Sequence, residues 1–110
     1  MKTGAERIAA ERRRQMEEEG WDSDHDDSHH GGELALAAAA YAAAPQRLYQ
    51  KVERRDVVSF RDAWPWEPGW DKRDKHGEIR RLEIAGALIA AEIDRLLRAV
   101  YTKTAEVEDD

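Results

Sequence analysis

The stretch Glu78–Tyr101, EIRRLEIAGALIAAEIDRLLRAVY, decides the fold. Ile79, Leu82, Gly86, Ile89, Ile93, Leu96 and Val100 follow one another at alternating steps of three and four, which lays one apolar or small stripe along a helix. Ile84 and Leu88 fall outside that stripe, towards the opposite side, so Ile84–Ala91 is apolar or small nearly all round. Such a helix is normally covered on both sides. A chain of 110 residues amounts to one domain and has few elements with which to cover it. The pattern therefore predicts an all-α bundle completed by a second subunit, with Ala37–Ala40 and Ile84–Ala91 at the interface. One domain over residues 1–105 is expected, followed by an acidic, disordered tail over 106–110.

Moving towards the N-terminus, WPWEPGW at 64–70 cannot form a regular helix, because Pro65 and Pro68 fix φ and lack a donor; it is expected to be a rigid loop. The mixed, basic residues before it predict a short helix over Arg47–Arg54. ELALAAAAYAAA, from Glu33 to Ala44, has near-maximal helix propensity and is stopped by Pro45. Residues 4–19 are good helix formers closed by Gly20, with a narrow apolar stripe of Ile8, Met16 and a few alanines. No strand pattern, repeat or phosphate-cradling glycine loop interrupts this sequence of helices.

Eighteen Lys and Arg against twenty-four Asp and Glu leave a formal charge of −6, the wrong sign for a protein that grips nucleic acid polymers by their phosphates. There is no cysteine, hence no disulfide, thiolate metal site or thiol nucleophile. The apolar runs are far short of the roughly 20 residues a membrane span needs, and the charged N-terminus lacks the apolar core of a signal peptide. A cytoplasmic protein with no membrane partner is the expectation.

Three features could carry chemistry. Between residues 22 and 33, Asp22, Asp24, Asp26, Asp27 and Glu33 stand with His25, His29 and His30 and no Lys or Arg intervenes. Carboxylates suit Mg²⁺ and Mn²⁺, the latter also accepting imidazole; the alternative is a solvated loop whose Asp and Ser residues cap a helix. On the last helix, Glu83 and Asp94 border one side of the apolar stripe and Glu92 the other, so the three cannot serve one site. Glu92 ends the apolar segment, where it either pairs with Arg95 three residues on or acts as a ligand. Finally, Trp21, Trp64, Trp66 and Trp70 all sit beside turn residues, ready to stack on a nucleobase or to fill gaps in an alanine-rich core. Lys72, Arg73 and Lys75 follow them and suit phosphate oxygens.

The segments QMEEEGW, HDDSHHGGELALAAAAYA, WPWEPGW and IRRLEIAGALIAAEIDRL, in this order over residues 5–98, resemble the MazG-like all-α nucleotide pyrophosphohydrolases, above all a short phage and bacterial branch of which one phage member hydrolyses dGTP to dGMP. The resemblance implies a helical domain that uses Mg²⁺ or Mn²⁺ to split a nucleoside triphosphate between its α and β phosphates, with dGTP the favoured substrate and a dimer or tetramer as the assembly. The family pairs Glu-Glu-x-x-Glu on one helix with Glu-x-x-Asp on another. Aligned on GELA, Glu33 takes the third acid, with His29 and His30 where the paired acids stand. In the second motif Glu83 takes the acid position and Gly86 stands in place of the Asp. The metal set implied is Glu19, His29, Glu33 and Glu92, with Glu33 and Glu19 catalytic, provided the helices bring Glu19 and Glu92 to one end of the bundle. Trp21, Trp66, Lys72 and Arg80 complete it as nucleotide contacts, Trp21 being the expected stacking wall and Trp64 or Trp66 its alternative. The competing expectation is a non-catalytic dimeric helical adaptor with an incidental metal-binding loop.

Overall fold

The computed structural model describes residues 1–43, 64–70 and 72–108. Among them there are four α-helices and no strand: α1 Gly4–Glu17, α2 Ser23–Asp27, α3 Glu33–Ala42 and α4 Glu78–Glu108, with 3-10 turns at Pro68–Trp70 and Arg73–Lys75. The all-α expectation holds for these residues. The helix expected over Arg47–Arg54 lies outside them.

Each helix begins where local chemistry dictates. Thr3 and Glu6 close a capping box on α1, the Glu6 amide donating to Thr3 Oγ1 at 3.2 Å and the Thr3 amide to Glu6 Oε1 at 3.0 Å. Glycine frees the other end: Gly20 has φ +73°, and the Trp21 amide reaches back to the Gln15 carbonyl at 3.0 Å. The residues expected to be a loop after it contain α2, because Asp22 accepts the His25 amide at 3.0 Å and so caps a short turn of helix. Gly32, at φ +87°, then reverses the chain into α3. Helix α4 does not stop at Tyr101; it continues to Glu108. The apolar stripe ends at Val100, but no Gly or Pro follows it, so propensity alone extends the helix.

Helices α1, α2 and α3 all pack on α4. The core joins Leu34, Ala37, Ala38 and Tyr41 of α3 to Ile84, Ala85, Leu88 and Ala91 of α4, with Trp21, Trp64 and Trp66 against its rim. Small side chains such as these alanines allow helices to pack closely. Leu34 and Leu88, both almost fully buried, each contribute about 1.5–3 kcal/mol.

This core corrects the expected roles of the two faces of α4. Ile84 and Leu88, expected to face a second subunit, form the centre of the subunit's own core, and Ala37–Ala40 are largely covered as well. Ile79, Leu82, Ile89, Ile93, Leu96 and Val100, the continuous stripe, are exposed by about half or more. Both faces are apolar, so helical periodicity could not say which of them α3 would cover.

Helix α1 crosses α4 at Gly86, where Ile8 fills the space that a side chain would need. The residues of α1 that this contact buries are polar: Glu11 and Gln15, three and seven positions after Ile8. Met16, read as part of the apolar stripe, is exposed.

Candidate functional site

Two acidic clusters result, one on each side of the α1–α4 crossing. In the first, the buried Glu11 carboxylate accepts from Arg14 Nε at 2.7 Å, Arg80 Nη2 at 2.6 Å and Gln15 Nε2 at 3.1 Å. Burial pulls its pKa up, but the hydrogen bonds from Arg14, Arg80 and Gln15 outweigh it, so the net shift is downward. Arg80 also reaches Glu83 at 3.2 Å, and Arg7 meets Glu83 from α1 at 3.3 Å. This network ties α1 to α4.

The second cluster gathers where α2, the start of α3 and the middle of α4 meet. Arg95 Nε donates to Glu92, and the same guanidinium lies in the fields of Asp27 and Glu33. The Glu92 hydrogen bond, with those carboxylates behind it, holds Arg95 more firmly protonated than an ordinary arginine. Arg98 grips Asp27 at 2.8 Å and lowers that carboxyl's pKa. Glu33, at the α3 N-terminus, is lowered by its own amide and by the Gly31 amide, which donates at 3.0 Å, with His29 and His30 adding to the effect. Beneath them Asp26, 1% exposed, is held by Arg12 Nη2 at 2.9 Å and lies 3.2 Å from His25 Nδ1; Arg12 also lies 3.7 Å from Asp94.

A row of rings runs along this cluster. Trp21 stacks on His25 with centroids 5.5 Å apart and planes 4° from parallel. His25 meets His29 at 4.9 Å, His29 meets Trp66 at 5.1 Å, Trp66 meets Trp64 at 5.2 Å, and Trp64 meets Tyr41 at 5.8 Å. The Trp64 indole donates to the Glu67 carbonyl at 3.1 Å, which fixes the loop as its prolines imply.

Of the residues expected at a site, Glu33 and Glu92 share the neighbourhood of Arg95, and His29 lies close enough to Glu33 to affect its charge. Glu19 keeps other company: after α1 ends at Glu17 the chain turns through Gly20, and Glu19 folds back onto Arg14 at 2.9 Å. Asp27 of α2 is the acid brought to this part of α4 in its stead, held there by Arg98 at 2.8 Å. Trp21 and Trp66 belong to the ring row, Trp21 with one face on His25. Lys72 is exposed at the head of the Arg73–Lys75 turn. Arg80 is engaged by Glu11 and Glu83 instead of being open to a phosphate. Arg73 is buried, its guanidinium 5.8 Å from the Trp64 ring centroid.

Sequence reasoning missed the buried acid Glu11 at the centre of the first cluster, whereas the pairing of Glu92 with Arg95, one of its two alternatives for Glu92, is present in the second. Glu11 had a usable signal: with Gln15 it lies on the same side of α1 as Ile8. Among the described residues no three Asp, Glu or His side chains converge closely enough to hold a metal ion. No helix among them is long and apolar enough to cross a membrane. No family model matches the chain, and no curated protein or solved structure is found to be similar to it.

Proposed function

We propose that the chain is a metal-dependent nucleoside triphosphate pyrophosphohydrolase of the MazG-like kind, with dGTP the favoured substrate. The observation that carries this reading is the gathering of acids where α2, α3 and α4 meet, Glu92 bound by Arg95, Asp27 bound by Arg98 and Glu33 in the field of Arg95, beside the row Trp21–His25–His29–Trp66. Carboxylate oxygens are the donors a hard divalent ion prefers, and the cations now beside them are Arg95 and Arg98. The side chains are not drawn together to ligand distance. Asp27, Glu33 and Glu92, with His29 at their edge, are the groups that would hold Mg²⁺ or Mn²⁺. Such an ion supplies positive charge against a triphosphate and activates water for attack on the α phosphorus.

The remaining work falls to the chain itself. The flat faces of Trp21 and Trp66 suit a purine, at roughly 1–3 kcal/mol for a stacked base. Arg95 and Arg98, ion-paired with Glu92 and Asp27 as Arg80 is with Glu11, are the cations nearest these acids and would meet a phosphate chain by exchanging those partners. Water adds to the α phosphorus, the α–β bridge breaks, and pyrophosphate leaves with the bridging oxygen.

Pyrophosphate release from each of the four deoxynucleoside triphosphates, with Mg²⁺, with Mn²⁺ and with excess chelator, tests the reading. Release that is fastest from dGTP and abolished by chelator supports it. A folded, helical protein that releases no pyrophosphate under any of these conditions overturns it.

A further inference from the structure

Gln15 is 1% exposed, and among the described residues its Oε1 is the only buried side-chain acceptor without a hydrogen-bond partner. The other end of the amide fixes which atom is left over. Its Nε2 donates to Glu11 at 3.1 Å, and an ionised carboxylate accepts without donating, so the amide cannot turn over. Arg12, three residues before Gln15 and so on the same side of α1, has the complementary surplus. Its Nη2 holds Asp26 at 2.9 Å, whereas Nε and Nη1 are buried without partners. Buried polar groups are nearly always bonded, so an acceptor and two donors left over within one turn of α1 ask for a ligand edge that carries a donor beside an acceptor.

The same two residues anchor the Trp21 ring. The Trp21 amide donates to the Gln15 carbonyl at 3.0 Å, and the Asp26 that Arg12 holds lies 3.2 Å from Nδ1 of His25, the ring on which Trp21 stacks. The left-over atoms thus belong to the two residues of α1 from which the segment 21–26 hangs. They are sealed from water, and a base edge reaches them as that segment eases away from α1. Gly20, exposed and at φ +73°, is the pivot in front of it.

We propose that Gln15 and Arg12 read the edge of the base and admit 6-oxopurines as a class, hypoxanthine as well as guanine. The inference rests on the proposed reading that a nucleoside triphosphate is bound beside Trp21. A guanidinium pairs best with a carbonyl oxygen, as in its common contact with guanine O6, so Arg12 takes O6. Gln15 Oε1 then accepts from the neighbouring N1–H. Adenine in the same pose turns its amino group to Arg12 and its bare N1 to Gln15, donor to donor and acceptor to acceptor. The 2-amino group of guanine meets no further unpartnered buried side-chain acceptor among the described residues. Deoxyinosine triphosphate, dITP, differs from dGTP by that group alone and becomes a second substrate.

Pyrophosphate release from dGTP, dITP and dATP by the full chain, with Gln15→Met beside it, tests this. Methionine keeps the length of glutamine and removes Oε1, while Glu11 retains Arg14 and Arg80. In the natural chain kcat/KM for dITP is expected within about threefold of that for dGTP, and that for dATP about 10–100-fold lower. Gln15→Met is expected to stay helical by circular dichroism and to lose about 10–100-fold on dGTP and dITP alike, with little change on dATP. A role in packing alone would leave the ranking unmoved. Binding of dGMP, dIMP and dAMP, followed by tryptophan fluorescence, repeats the comparison without hydrolysis. A chain that binds dGMP and dIMP alike and dAMP weakly, yet releases no pyrophosphate, keeps the base reading and loses the hydrolase one. A chain that binds none of the three and releases no pyrophosphate overturns both. If dITP is as poor as dATP, the 2-amino group is what is read and the proposal falls, a result that needs no variant. A folded Gln15→Met with the natural ranking overturns it as well.

Discussion

A methyl group added to Gly86 would stand 2.5 Å from Cδ1 and 2.7 Å from Cγ1 of Ile8, so α1 and α4 touch where α4 has no side chain. Gly86→Ala gains about 1 kcal/mol of helix propensity and meets an overpacking penalty of about 1–3 kcal/mol. Ile8 is β-branched and cannot swing its whole side chain aside. Urea denaturation should show Gly86→Ala destabilising the natural chain by about 1 kcal/mol and stabilising an Ile8→Ala background by a similar amount. The same sign in both backgrounds would remove the contact.

Leu88→Ala should cost about 2–5 kcal/mol, since the side chain is 2% exposed and packed between α3 and α4. Periodicity alone placed Leu88 at a subunit interface, where a change would split an assembly and spare the fold. The core position predicts the reverse order of events on dilution and denaturation. A Leu88→Ala protein with unchanged denaturant midpoint but altered mass would restore the interface reading.

Acid should weaken the α1–α4 contact. The folded-state pKa of Glu11 lies below its unfolded value, so its contribution is present above the ordinary Glu range, near 4.3, and is lost as pH falls through the lowered folded value. In Glu11→Gln the acid limb of stability against pH, measured by urea midpoints, should be shallower. At pH 7 the same variant should lose about 1.5–3 kcal/mol, the range for a hydrogen bond to a charged group; the value is not larger because Arg14 and Arg80 are each about one-third exposed and can rehydrate. Equal acid limbs in both proteins would show that Glu11 titrates alike folded and unfolded.

Glu33→Gln should lower pyrophosphate release from dGTP about 100-fold or more, together with Mg²⁺ or Mn²⁺ affinity, if Glu33 is a ligand. Helix α3 loses a carboxylate from its N-terminus and about 0.3–1 kcal/mol with it, too little to unfold the chain. Natural turnover and metal affinity in Glu33→Gln would reduce Glu33 to a helix-start residue.

Trp21→Ala should weaken dGTP binding by about 1–3 kcal/mol and leave metal binding nearly intact. One face of Trp21 is already taken by His25, so a base that stacks there must use what the core leaves of the other. An unchanged KM for dGTP in Trp21→Ala, with a raised one in Trp66→Ala, would move the stacking wall to the far end of the ring row.

Amino-acid order by itself determined that α1, α3 and α4 are helical, though not α2, whose single turn depends on the Asp22 cap. Alanine-rich propensity makes α3, a Thr-x-x-Glu box starts α1, glycines at positions 20 and 32 turn the chain, and a period of three and four runs the length of α4. These are local effects, acting within a few residues. Tertiary structure decided what local rules leave degenerate. Helix α4 has two apolar faces, and only the docking of α3 makes one of them the core and leaves the other exposed. The acids are sorted in the same way. Glu19 and Glu92 are 73 positions apart, and nothing in their neighbours tells that one will fold back on Arg14 while the other, paired with Arg95, lies where Arg98 brings in Asp27. A carboxylate takes whichever guanidinium the packing brings near, because charge attraction has little directional preference, and the packing is set by the small residues at which the helices cross.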